Sequence, residues 1–145
     1  MPILALIFGF FAATAALLAQ VFFSLFLTGP AASAPSLIWL ISAATLEEGA
    51  KLAFLLQLGK RSTNAISPIQ AILFGLGFIV VEIALVTMTA TASTDFLALG
   101  AMAGIHLLGT LIIYSGLRLQ ESYSLSPLVG LLGAILVHTL YNSSL

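Results

Sequence analysis

Cysteine is absent from the 145 residues, and charge is almost absent: four Lys/Arg, five Asp/Glu and a net charge of −1. The first absence removes disulfides, thiolate nucleophiles and thiolate metal sites together. The second removes any basic surface for nucleic acid and any charged tail for a soluble partner. Charged residues make up 6% of the chain and hydrophobic residues 61%, where soluble domains carry about 25% charged residues. With a mean hydropathy of +1.20, the composition describes an all-α polytopic bundle in a lipid bilayer. Five spans use up the whole length, so residues 1–145 form one transmembrane domain and any chemistry must lie between helices.

Long apolar runs, each near the roughly 20 residues of a crossing, place helices at 3–27, 36–58, 68–89 or 91, 96–119 and from 127 onward. No Lys or Arg precedes the first run, and it exceeds the ~7–15 apolar residues of a signal peptide core, so a retained helix is expected. The intervening segments carry turn chemistry. Gly29-Pro30 opens an uncharged turn to residue 35. Residues 59–64 form the most polar loop. Pro68 and Pro127 stand where a missing N–H is harmless, and Ser93 or Thr94 offers an N-cap. Lys60, Arg61 and Arg118 gather at one end of the bundle and Asp95 lies at the other. The positive-inside rule then sets the N-terminus in the cytosol and the C-terminus outside.

The residues that do not fit this apolar background are the informative ones. Glu47, Glu48 and Lys51 lie mid-helix, where unpaired charge is costly and function is the default expectation. Lys51 is one turn from both glutamates and can neutralise one. The other points about 100° away on a helix of 3.6 residues per turn and needs another partner or a proton. Glu82, His106 and His138 follow, one per helix. At ~1.5 Å per residue, Glu47 and Glu48 lie roughly 17–18 Å from the outer ends of their helices, Glu82 roughly 10–15 Å, His106 about 15 Å and His138 about 8–10 Å. They can converge on one layer. Phe78 is one turn before Glu82. Gly100 and Gly104, just before His106, form a small-xxx-small motif that predicts tight packing of helix four. Asn142 shares a helix face with His138, and the two can cradle an oxyanion. Trp39, Tyr114, Tyr123 and Tyr141 read as interfacial anchors, Asp95 and Glu121 as loop charges, and Gln20 as lining a cavity or binding a neighbour.

The series Glu47-Glu48-x-x-Lys51, Phe78-x-x-x-Glu82, His106 and His138-x-x-x-Asn142 resembles the motifs of the PrsW-type glutamic intramembrane proteases, grouped with the CAAX-processing and bacteriocin-processing membrane proteases. The resemblance covers residues 36–142, a four-helix core, and leaves the first helix, 1–28, peripheral. It implies a peptide-bond hydrolase acting on a membrane protein or peptide. Glu47 or Glu48 would activate water beside Glu82, with Lys51 setting the charge of the pair, His106 as the additional histidine, and His138 and Asn142 steadying the oxyanion. No cofactor is required on this reading. A divalent metal on Glu48, Glu82, His106 and His138, or a haem on the histidines, is compatible with the ligand types. The alternative function is a non-catalytic membrane scaffold, associated with partner subunits, that keeps a vestigial polar core. A proton-coupled carrier is a further use of buried Glu and His.

Overall fold

The computed structural model describes residues 2–27, 36–62, 65–89 and 95–144. They form five α-helices: α1 (Pro2–Leu27), α2 (Leu37–Arg61), α3 (Pro68–Thr89), α4 (Phe96–Arg118) and α5 (Ser126–Asn142). α1, α3 and α4 are long and apolar enough to cross a membrane on composition alone. α2 interrupts its apolar run with three charges and α5 is 17 residues long.

The bundle has an apolar surface, as hydrocarbon solvent selects, and an interior in which a polar cluster lies beside an apolar core. Phe10, Phe22, Val80, Met88 and Leu136 face outward. Glu48 and Lys51 are fully buried, and Glu47, His106 and His138 nearly so. The chain is an integral membrane protein. α2 is the hub. Its inner stripe runs Ala44, Glu47/Glu48, Lys51, Leu55, Leu58, the spacing that puts residues on one helix face. It packs on α1, α5 and α4, while α3 is held between α1 and α4.

Glycines set the closest approaches. A Cβ at Gly9 would overlap the carbonyl oxygen of Phe74, and one at Gly77 would overlap that of Leu6. α1 and α3 therefore meet backbone to backbone, which only glycine permits. Gly116 and Gly130 do the same for α4 and α5. The tight packing expected at Gly100 and Gly104 is not there, since a Cβ at either would meet nothing within 4 Å. The half of α4 that docks on its neighbours starts later, at His106, and runs to Gly116.

One boundary differs from the sequence reading by more than a residue. α2 continues through Gly59, Lys60 and Arg61, and the polar segment begins at Ser62. The two cations in that last turn face the partial negative end of the helix dipole, which stabilises the extension. α4 is capped by Asp95, whose Oδ1 accepts from the Leu97 amide at 2.9 Å. Ser93 and Thr94 lie outside the described residues, as does the turn at 29–35. Asp95 is thus a cap as well as an exposed charge. Pro127 sits in the first turn of α5.

Candidate active site

The buried polar cluster is built from four helices. On α2, Glu48 Oε1 accepts from Lys51 Nζ at 2.7 Å, one turn on. The same oxygen is 2.8 Å from His138 Nδ1 of α5. A carboxylate that pairs with an ammonium is ionised and can only accept, so His138 donates through Nδ1–H. Lys51 Nζ is also 3.2 Å from His106 Nδ1 of α4 and 4.5 Å from the centre of the Phe78 ring. Phe78 in turn packs against the His106 imidazole, centroids 5.2 Å apart. Lys51 is fully buried, and a carboxylate, an imidazole and a π-face together satisfy it. The Glu48 carboxyl has room because the facing α4 position is Gly109, where a Cβ would lie 2.9 Å from Glu48 Oε2.

Glu47 points elsewhere. Its Oε1 accepts from Gln20 Nε2 of α1. Its Oε2 has no hydrogen-bond partner among the described residues, yet it lies 3.5 Å from His138 Nε2 and 3.9 Å from His106 Nδ1. The two imidazoles meet edge to face, centroids 4.9 Å apart. With His138 Nδ1 on Glu48, its Nε2 faces the Glu47 oxygen that has no hydrogen-bond partner among the described residues. Either a shared proton or a metal cation between the two atoms would satisfy both. One donor atom from each of Glu47, His106 and His138 lies within 4.8 Å of the others. Two imidazoles and one carboxylate are a common ligand set for catalytic zinc, which keeps a further position open. The Glu48 contact on His138 is the carboxylate–histidine support that such ligands usually have.

The cluster forms the floor of a cavity of about 470 Å³. Glu47, His106, His138 and Gln20 line it below. Trp39, Val86, Leu99, Met102 and Tyr141 give it apolar walls, and Glu82, Asp95 and Asn142 complete it. Glu82 is half-buried and makes no hydrogen bond among the described residues, and the same holds for the Asn142 side chain. The seven candidate site residues of the motif series thus fall in one place, in two tiers. Glu47, Glu82, His106, His138 and Asn142 border the cavity, while Glu48 and Lys51 lie beneath it. The carboxylate grouped with the two imidazoles is Glu47. Glu48 is engaged by Lys51 and His138, and Glu82 stands outside that trio.

Three contributors carry little sequence signal. Gln20 is a lone amide on an apolar helix. Gly109 is one of several glycines in α4, and only its position opposite Glu48 sets it apart. Trp39 looks like any interfacial aromatic.

A family model described as PrsW family intramembrane metalloprotease matches residues 1–145. No curated protein matches the chain, and no solved structure does.

Proposed function

The chain belongs to the PrsW family of intramembrane metalloproteases, and from that membership we propose that it hydrolyses a peptide bond of a membrane-embedded substrate at the Glu47–His106–His138 centre. The observation that carries this is the unpartnered Glu47 Oε2, buried and facing two imidazoles at the floor of a cavity. Glu47 and His138 would hold a divalent ion, and His106 would join them by giving up the contact of its Nδ1 with Lys51 Nζ. When bound, that ion would supply Lewis acidity and a more acidic water.

The rest is the work of the side chains. Glu48 fixes the His138 tautomer through Nδ1, leaving Nε2 free. Lys51 neutralises Glu48, so the support beneath the centre carries no uncompensated charge. Glu82 lines the same cavity with no hydrogen-bond partner among the described residues, and is the base that takes a proton from the attacking water. The water oxygen bonds to the carbonyl carbon, the C–N bond breaks, and Glu82 returns the proton to the departing amine. Both His138 nitrogens face carboxylates. Stabilisation of the oxyanion therefore falls to the amide of Asn142, one turn further on and in the cavity wall. Lys60, Arg61 and Arg118 cluster at the end away from the cavity, so the positive-inside rule opens the site to the outer side.

The cavity wall also points to a substrate class. Its charges are Glu47, Glu82 and Asp95, with no lysine or arginine among its lining. A scissile bond next to a basic residue, in an apolar segment, suits it. Asparagine caps helices as well as aspartate, so Asp95→Asn removes charge alone. It is expected to reduce the preference for lysine-flanked over uncharged peptides by about 2–5-fold, the scale of an exposed ion pair. The loss should shrink as salt is raised. An unchanged preference would show that Asp95 only caps.

The function itself is tested with purified protein in bilayer discs and a quenched fluorescent peptide, an apolar segment flanked by lysines. 1,10-Phenanthroline is expected to stop cleavage, and Zn²⁺ or Co²⁺ to restore it. Cleavage that resists the chelator but is lost on Glu47→Gln would assign a glutamate mechanism without metal. No cleavage under any metal condition would favour the scaffold reading.

A further inference from the structure

We infer that Gln20, on the first helix and outside every motif of α2 to α5, is a positioning residue that sets the working orientation of the Glu47 carboxylate. The inference rests on the reading of the Glu47 centre given above. Two acceptors settle which way the Gln20 amide points. Its NH₂ group faces the Glu47 carboxylate and the Ala43 carbonyl, the latter at 3.5 Å. Only the NH₂ end of an amide can donate to both. The bond to Oε1 leaves Oε2 as the oxygen turned to His138 Nε2 and His106 Nδ1. Without it, the carboxylate is free to rotate about its terminal torsion, which is broad and roughly two-fold.

The sequence of α1 delivers that amide by design of its inner face. Ala5, Gly9, Ala12, Ala13 and Ala16 are buried, and Gln20 follows Gly9 by three helical turns on the same face. At Gly9 the helix is seated on the α3 backbone, against the Phe74 carbonyl and the Phe78 amide. Phe78 is the residue whose ring lies against Lys51 and His106. Small side chains bring α1 close, and the first long polar one on that face reaches the centre. α1 therefore completes the site as well as anchoring the chain.

The test compares Gln20→Met, which keeps length and bulk but loses the donor, with Gln20→Ala, which loses both. Positioning predicts that both variants lose about 10–100-fold in Co²⁺ affinity, the usual scale for removing a ligand's supporting hydrogen bond. The visible Co²⁺ band should change shape, kcat on the lysine-flanked peptide should fall by a similar factor, and KM should stay within about two-fold, as a change confined to the reacting groups requires. A packing role predicts that Gln20→Met matches wild type and only Gln20→Ala suffers, and that result would overturn the inference. A wild type that cleaves but binds no Co²⁺ sets the metal reading aside and leaves the kcat of Gln20→Met to decide. A wild type that does neither overturns both, because no centre remains for Gln20 to position.

Discussion

Glu47→Gln is expected to reduce peptide cleavage by at least about 10³-fold, within the range that removal of a catalytic acid–base or metal-binding group produces. It should leave the thermal midpoint close to wild type. Glu48→Gln is expected to fail differently, although it is the adjacent residue and the identical substitution. Glu47 Oε2 has no partner to lose among the described residues, and an amide is close in shape to a carboxylate. Glu48 is fully buried between Lys51 and His138. Removing its charge strands an ammonium in the core, and breaking a buried pair from one side costs about 3–5 kcal/mol. The discriminating measurement is activity plotted against thermal midpoint for both variants. An inactive, stable Glu47→Gln beside an unstable Glu48→Gln supports the division between a reacting and a supporting carboxylate. A reversed pattern would exchange their roles.

Gly77→Ala is expected to destabilise the bundle by about 3 kcal/mol, at the upper end of what overpacking usually costs. An added methyl would overlap the Leu6 carbonyl oxygen of α1. Backbone cannot move aside as a side chain can, so α1 must separate from α3. Gly9→Ala meets the Phe74 carbonyl from the opposite direction and should have a similar effect. Gly100→Ala and Gly104→Ala place their methyls in open space. Alanine also exceeds glycine in helix propensity by about 1 kcal/mol, so these two should be neutral or slightly stabilising. Unfolding in a graded series of denaturing detergent would rank the four. Equal stability of Gly77→Ala and Gly104→Ala would refute the interlock of α1 and α3.

These contrasts show what was legible in the sequence. The five helices were, because an apolar run of membrane-spanning length has few other fates and proline marks two of the starts. The polar cluster was, because each charge in hydrocarbon demands a reason. What pairs with what was not. Glu47 and Glu48 are both one turn from Lys51, and only the α4 notch at Gly109 and the approach of His138 decide that Glu48 takes the ammonium. Glycine spacing was misleading for a related reason. Gly100-x-x-x-Gly104 has the form of a packing motif, but a motif describes one surface and packing needs two. Gly9 and Gly77 stand 68 positions apart and interlock because each fits the other's backbone. Gln20 was visible as an oddity and could not be assigned, since its partner is on another helix.

The three charges of α2 also bear on how the chain enters the bilayer. On translocon insertion scales, Glu47, Glu48 and Lys51 oppose entry by about 2.5–3.5 kcal/mol each, while Leu, Ile or Phe favours it by about 0.3–0.6. The ten Leu, Ile and Phe of α2 do not offset that, and α2 is not among the helices apolar enough to cross alone. α2 therefore cannot partition by itself. Its insertion must be cooperative with the amide of α1 already emerged and the imidazoles of α4 and α5 still to come, so biogenesis and assembly of the polar cluster are one event.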